Sequence, residues 1–238
     1  MTHTPPSPEH FAHVETWIFD LDNTLYPRSA NLFAQIDAKM TDYVAELLSL
    51  DHAAAKKLQK ELYHEQGTTL AGLMARYDIN PDDFLLRVHD LDYSPIEAAP
   101  ELGEAIAALP GRKFIFTNGD RPHAERTATK LGILEHFEDI FDIVAAELLP
   151  KPAALAYDRF LARHGIDGSR AAMFEDLARN LVVPKTLGMK TVLVVPPSLE
   201  EPLADVWEKD AGFTDEVDYV TDDLTNFLRT VQPTPVSG

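Results

Sequence analysis

Four short polar clusters in this chain carry side chains that could do chemistry together. The first is Asp20-Leu21-Asp22-Asn23-Thr24. If the chain leaves an apolar strand still extended, Asp20 and Asp22 project to the same side. Two carboxylates so placed repel each other unless a cation or a proton intervenes. The second is Thr117-Asn118-Gly119-Asp120, a hydroxyl, an amide and backbone N–H groups ahead of a helical pattern. That combination suits an oxyanion or a phosphate. The third is Lys151 between Pro150 and Pro152, with Pro152 expected in the first turn of a helix. The fourth is Glu175-Asp176, followed by Asn180. Carboxylates without His or Cys form a hard oxygen set that favours Mg²⁺ over zinc. Each cluster alone has a plain alternative: an Asp/Asn turn, a loop with a helix cap, a surface lysine, and helix capping by Asp176.

The alternatives weaken because the clusters recur at one kind of place, the end of a strand. Short apolar runs, mostly β-branched or aromatic, occupy 17–19, 114–116, 140–144, 171–174, 191–195 and 217–220. Helical patterns lie between them, as over 124–131, 153–164 and 177–187. Strands alternating with helices imply an α/β fold, a Rossmann-like parallel sheet with helices on both faces. In such sheets ligands bind outside the carboxyl ends of the strands. One stretch breaks the alternation. Leu32, Phe33, Ile36, Met40, Val44, Leu47 and Leu48 keep steps of three and four, and similar patterns continue to His89, punctuated by Gly67 and Asn80-Pro81. The expected organisation is therefore an α/β core over 14–27 and 96–230, with a small all-helical unit inserted over 28–95 after the first strand. Polar tails are expected at 1–13 and 231–238. The inserted unit is either a cap over the strand ends or a peripheral bundle that only stabilises.

Composition narrows the function. Across 238 residues, 21 Lys and Arg face 39 Asp and Glu, a formal charge of −18. Polymeric nucleic acid and anionic membrane are disfavoured as partners, because both would be repelled. The absence of cysteine excludes a disulfide scaffold, thiolate zinc, iron–sulfur clusters and a cysteine nucleophile. The N-terminal residues lack a basic region followed by an apolar one, and no apolar run approaches the roughly 20 residues that span a bilayer. A soluble, cytoplasmic protein is expected. His3, His10 and His13 read as part of a mobile tail rather than a metal site.

The pieces FDLDNT, TNG, KP and FEDLARN, in this order and each behind an expected strand, resemble the haloacid dehalogenase-like hydrolase superfamily. FDLDNTLYP, YHEQGTTLAGLMARYDINPDDFLLRVHDLDYS and NLVVPKTLGMKTVLVV further resemble its pyrimidine 5′-nucleotidase-like branch, which has a helical cap after the first motif. The resemblance runs from about Val14 to Phe227 and implies a Mg²⁺-dependent phosphatase working through an aspartyl-phosphate. Asp20 is then the nucleophile and Asp22 the acid and base. Thr117 and Asn118 bind the phosphoryl group, and Lys151 offsets the charge gathered there. The metal is held by Asp20, the Asp22 backbone carbonyl and Asp176, with Glu175 close by. Two departures stand out: Leu177, where a small polar residue often follows the acidic pair, and Asn180, where many members carry another Asp. His89, Asp90, Tyr93 and Arg76 in the cap stretch, with Tyr26 and Arg28 near the mouth, are candidates to meet a base or ribose. The implied partner is a small phosphorylated metabolite, with a pyrimidine nucleoside 5′-monophosphate as best guess. A sugar phosphate or phosphoglycolate, a metal-independent 2-haloacid dehalogenation, and a non-catalytic regulatory role are the alternatives. Monomer and homodimer stay equally open.

Overall fold

A strand buried on both faces must find apolar cover above and below the sheet. The computed structural model, which describes residues 5–197 and 215–232, shows where that cover comes from. The elements run α1 (Pro8–Phe11), β1 (Thr16–Phe19), α2 (Leu32–Leu48), α3 (His52–Gln66), α4 (Thr69–Arg76), α5 (Pro81–Val88), α6 (Pro100–Ala107), β2 (Arg112–Phe116), α7 (Arg121–Leu131), β3 (Asp139–Phe141), α8 (Ala154–His164), β4 (Ala171–Glu175), α9 (Val182–Thr186), β5 (Lys190–Val194), β6 (Tyr219–Thr221) and α10 (Leu224–Val231). The sheet has six strands in the order β3-β2-β1-β4-β5-β6, and every described pair is parallel.

Alternation along β1 divides the core. Trp17 and Phe19 join one cluster with Ile115, Phe174 and Val192 under α6, α7 and α10. Ile18 joins the other, with Phe114, Phe116 and Met173 against Tyr157 and Phe160 of α8. Each large side chain so buried contributes about 1.5–3 kcal/mol, enough to fix the register of the central strand. β1 is flanked by β2 and β4, with Phe19 opposite both Ile115 and Phe174. The chain turns from one side of β1 to the other here, so the ends of β1, β2 and β4 open onto one crevice.

Helices α2–α5 build a separate apolar cluster from Val44, Leu62, Leu73, Phe84 and Val88, joined by Ile143 of the α/β part. Their starts are set locally. Asp51, Thr68 and Asn80 each accept a hydrogen bond from an N–H of the first helical turn, and Pro81 occupies the start of α5. α3 and α4 approach so closely that a Cβ at Gly72 would lie 2.6 Å from the Leu62 Cβ.

Several details differ from expectation. Residues 8–11 form a helical turn whose Phe11 is buried against Trp17 and Phe227, so the expected N-terminal tail reaches into the core. His10 stacks on Tyr219, while His3 lies outside the described residues. β3 stops at Phe141 because the Asp142 carboxylate accepts from the Ala145 and Arg121 N–H groups and turns the chain. Pro152 sits in a turn after a cis peptide bond, ahead of α8 rather than in its first turn. The helix expected over 177–187 is a 3₁₀ turn, Ala178–Leu181, followed by α9. Val231, placed in the C-terminal tail, is buried at the end of α10. Of the expected core and C-terminal tail, residues 198–214 and 233–238 lie outside the described residues. Among the described residues no helix is long and apolar enough to cross a membrane.

Candidate active site

Asp20 begins the site because β1 ends at Phe19 and delivers it to the crevice. Its N–H still bonds to the Phe174 carbonyl, 2.9 Å away, so the extended register carries one residue past the strand. Lys151 comes from the turn before α8 and is 1% exposed. Its ammonium has three acceptors: Asp20 Oδ1 at 2.7 Å, Glu175 Oε1 at 2.6 Å and the Phe116 carbonyl at 2.8 Å. A buried ammonium without such partners would be very costly. The Asn118 side chain fixes the lysine backbone, donating to the Lys151 carbonyl at 3.2 Å and accepting from the Lys151 N–H at 2.8 Å. Thr24 donates to the second oxygen of Asp20, at 3.2 Å.

The acidic pair after β4 divides its work. Both oxygens of the buried Glu175 are used: Oε1 by Lys151 and by Asn180 at 2.8 Å, Oε2 by the Leu177 N–H at 3.1 Å. Asp176 Oδ2 accepts from Asn23 at 3.3 Å and Arg28 at 3.2 Å. Oxygens of Asp20, Glu175 and Asp176 all lie within 4.8 Å of one another, a set that could hold a metal ion. Three carboxylates without nitrogen or sulfur ligands fit a hard divalent cation.

Asp22 faces a different environment. Its Oδ1 accepts from the Tyr26 hydroxyl at 2.5 Å and lies 2.8 Å from His123 Nε2. In the second cluster, the Thr117 hydroxyl accepts from the Gly119 N–H at 3.0 Å. Among the described residues no acceptor takes up the N–H groups of Leu21, Asp22 and Asn118. Those amides can receive an anion at the strand ends.

Electrostatics separate the two aspartates. Burial raises Asp20, Lys151 pulls it back, Glu175 and Asp22 push it up again, and it settles at about 7. Burial would likewise raise Asp22, but His123 and Tyr26 outweigh it and hold Asp22 below the usual carboxylate range. Burial would lower Lys151, yet Asp20 and Glu175 raise it well above an ordinary lysine.

The crevice is roofed by helices α2–α5. A cavity of about 120 Å³ is lined below by Asp20, Asp22, Thr117, Asn118, Lys151 and Asp176, and above by Phe33, Met40, Tyr63, Leu70, Phe84 and His89. A larger hollow of about 900 Å³ lies between the 23–30 loop and Pro196-Pro197, where neither Asp20 nor Lys151 reaches. Of the cap candidates, only His89 lines the cavity beside Asp20; its Nδ1 is 3.1 Å from Asp120 Oδ1. Arg76 pairs with Glu65 and Asp90 with Lys39, both outside this cavity. Tyr93 is buried against His123, Tyr26 is committed to Asp22, and Arg28 to Asp176. The Asn118 side chain, expected on the phosphoryl group, is engaged by Lys151 instead.

Two residues were not anticipated. Arg179 lines the cavity with its guanidinium 4.5 Å from the Tyr63 ring centroid, hydrogen-bonded to the Tyr63 hydroxyl, and with its buried Nε lacking an acceptor among the described residues. His123 is fully buried beside Asp22. Its one sequence signal is position: three residues after Asp120, it is where an Asp N-cap aims its carboxylate.

Comparison with known proteins agrees with this arrangement. A family model described as haloacid dehalogenase-like hydrolase matches residues 14–183. "Phosphate metabolism protein 8" of Saccharomyces cerevisiae is 26% identical over 207 residues, 79% of this chain; the match spans 64% of that relative's length. A haloacid dehalogenase-like phosphatase from Thermococcus onnurineus shares the fold at a TM-score of 0.59 and 17% identity, over 92% of this chain and 97% of that one. The L-2-haloacid dehalogenase of Xanthobacter autotrophicus does so at 0.57 and 16%, over 92% and 98%. At these identities the structural likenesses speak for the fold alone.

Proposed function

From its membership of the haloacid dehalogenase-like hydrolase family, to which this chain belongs, we propose that the protein is a Mg²⁺-dependent phosphatase acting on a small phosphomonoester. The observation that carries this reading is the convergence of Asp20, Glu175 and Asp176 within 4.8 Å, beside the buried Lys151. A metal-independent dehalogenase has no use for such a cluster, nor for a second aspartate at Asp22. Asp20, Asp176 and the Asp22 backbone carbonyl would hold the ion, with Glu175 tying Lys151 to it. When bound, Mg²⁺ supplies positive charge against the phosphoryl oxygens and Asp20.

The chain's own groups then account for the chemistry. A phosphate dianion approaching a carboxylate is opposed by about 4 kcal/mol per charge pair at 4 Å and an effective dielectric near 20. Lys151 offsets that repulsion from a position fixed by Glu175, Asn118 and Phe116. Thr117 and the N–H groups of Leu21, Asp22 and Asn118 receive the phosphoryl oxygens. An Asp20 oxygen attacks phosphorus as the bond to the leaving oxygen breaks, and the departing oxygen takes a proton carried by Asp22, which must be protonated when the ester arrives even though His123 and Tyr26 favour its ionised form. Water then attacks the aspartyl-phosphate, losing its proton to Asp22 and freeing Asp20 with inorganic phosphate.

For the substrate, a pyrimidine nucleoside 5′-monophosphate is favoured by the branch resemblance and by Arg179, a guanidinium with an unmet donor beside an aromatic ring. The similarity to a relative named for phosphate metabolism supports a phosphorylated substrate without choosing among such esters. The charge of −18 favours a small substrate over a polyanion. The cavity volume favours a second reading. Sites for drug-sized ligands measure about 300–1,000 Å³, so 120 Å³ accommodates phosphoglycolate or a similar small ester, whereas a nucleotide needs the cap to move outward. A screen of phosphorylated metabolites with Mg²⁺ tests both readings. Phosphate release that a chelator abolishes supports the proposal. Halide release from a 2-haloacid that survives the chelator would replace it.

A further inference from the structure

His123 is buried at the heart of the site, yet phosphate binding gives it no task. A buried imidazole must satisfy both ring nitrogens. Nε2 lies 2.8 Å from Asp22 Oδ1, and Nδ1 lies 3.0 Å from the Tyr93 hydroxyl. The rest of the residue is fixed as well. Its backbone N–H donates to Asp120 Oδ1 at 2.9 Å, capping α7. Its ring stacks on His89 at 4.7 Å between centroids, 8° from parallel. A Cβ at Gly119 would come within 3.2 Å of its Cδ2, so a side chain there would crowd the ring.

This geometry constrains Asp22. An ionised carboxylate only accepts, so Nε2 is the nitrogen that carries hydrogen towards Oδ1. The Tyr26 hydroxyl donates to that same oxygen. With two donors on Oδ1, a proton bound by Asp22 has only Oδ2 to occupy.

We propose that His123 is a positioning residue for the acid–base step, holding Oδ1 of Asp22 so that Oδ2 alone meets the leaving-group oxygen and, later, the water. The inference rests on the phosphatase reading above. In the first half-reaction the Asp20 oxygen–phosphorus bond forms, the phosphorus–leaving-oxygen bond breaks, and the proton on Oδ2 passes to the leaving oxygen. In the second, the water oxygen–phosphorus bond forms, the Asp20 oxygen–phosphorus bond breaks, and the water's proton passes to Oδ2. His123 transfers no proton in either.

The test compares leaving groups. An alkoxide must be protonated as it departs, whereas p-nitrophenolate need not be. kcat/KM is therefore measured for p-nitrophenyl phosphate and for uridine 5′-monophosphate, or for phosphoglycolate where that is the preferred ester. His123→Ala is expected to lower kcat/KM for the alkyl ester about 10- to 100-fold, part of the 10²–10⁴ that general acid–base catalysis supplies. The loss on the aryl ester should be several-fold smaller. His123→Gln, which restores an N–H near Nε2, should recover much of the alkyl activity. Tyr93→Phe, which removes the hydroxyl that meets Nδ1 and with it a hydrogen bond to the His89 carbonyl, should show a smaller split of the same sense and carries the test if the alanine variant does not fold. Equal losses on both esters with no recovery in the glutamine variant, or no split in Tyr93→Phe, would overturn the proposal while leaving the phosphatase reading intact. A folded wild type inactive on both esters with Mg²⁺ would overturn both.

Discussion

Replacing Lys151 with methionine isolates the charge that the site is built around. The ammonium lies 2.7 Å from Asp20 and 2.6 Å from Glu175. At an effective dielectric near 20, each attraction amounts to about 6 kcal/mol. The measured loss should be smaller, because removing the ammonium also removes its own desolvation cost; breaking a buried pair typically costs about 3–5 kcal/mol. Two carboxylates, 7% and 0% exposed, would then face each other unpaired. The pH dependence follows from its sign. A buried carboxyl raised above its unfolded value binds more protons folded than unfolded, so its ionisation destabilises the fold as pH rises through that window. For Asp20 in the wild type the window runs from the ordinary value of 3.8 up to about 7. Without Lys151, the largest influence lowering Asp20, the window extends further upward. Lys151→Met should therefore lose about 3–5 kcal/mol in urea unfolding at pH 8 with chelator present, and clearly less at pH 5.5. Glu175→Gln in the same background should recover a substantial part, since it removes one of the stranded charges. A loss under about 1 kcal/mol at pH 8, near what an ordinary surface change gives, would refute this reasoning, as would equal losses at both pH values.

Asp22→Asn should slow both formation and hydrolysis of the intermediate by about 10²-fold or more; unchanged single-turnover rates would remove its acid–base role. Arg179→Ala should raise KM for a nucleoside monophosphate several-fold and leave that for p-nitrophenyl phosphate nearly unchanged, because the guanidinium sits on the Tyr63 side of the cavity rather than on Lys151; matched shifts in kinetic assays would assign it to folding instead. Mg²⁺ affinity, followed by calorimetry, should weaken as pH falls through about 7, because the ion competes with a proton on Asp20; flat affinity between pH 6 and 8 would contradict that placement of the charge.

Four motifs were legible because a parallel sheet converts sequence position into spatial position. Each motif follows a strand, and β2, β1 and β4 are neighbours, so residues 20, 117 and 175 meet at one edge. Lys151 was legible only as a charge between prolines; that its ammonium is enclosed by three acceptors depends on contacts across 131, 35 and 24 residues of chain. His123 was missed because its partner Asp22 is 101 residues away and a lone histidine in a helix has no local signature. The cap was readable as helices but not as a lining. Apolar periodicity fixes which face packs inward, whereas Arg76 and Asp90, chosen for their chemistry, pair with Glu65 and Lys39 outside the cavity. Phe11 lay in a Pro- and His-rich stretch with no periodicity, and its ring packs on Trp17, Tyr219 and Phe227, partners distant in the sequence or hidden from local patterning.

The most direct measurement is a rapid acid quench of the enzyme with Mg²⁺ and a phosphomonoester labelled at phosphorus, followed by mapping of the label. A transient, base-labile acyl phosphate is expected on the peptide containing Asp20, absent in Asp20→Asn and unformed when the metal is chelated. Label on a different residue, or steady phosphate release with no covalent species at any quench time and full activity in Asp20→Asn, would contradict it.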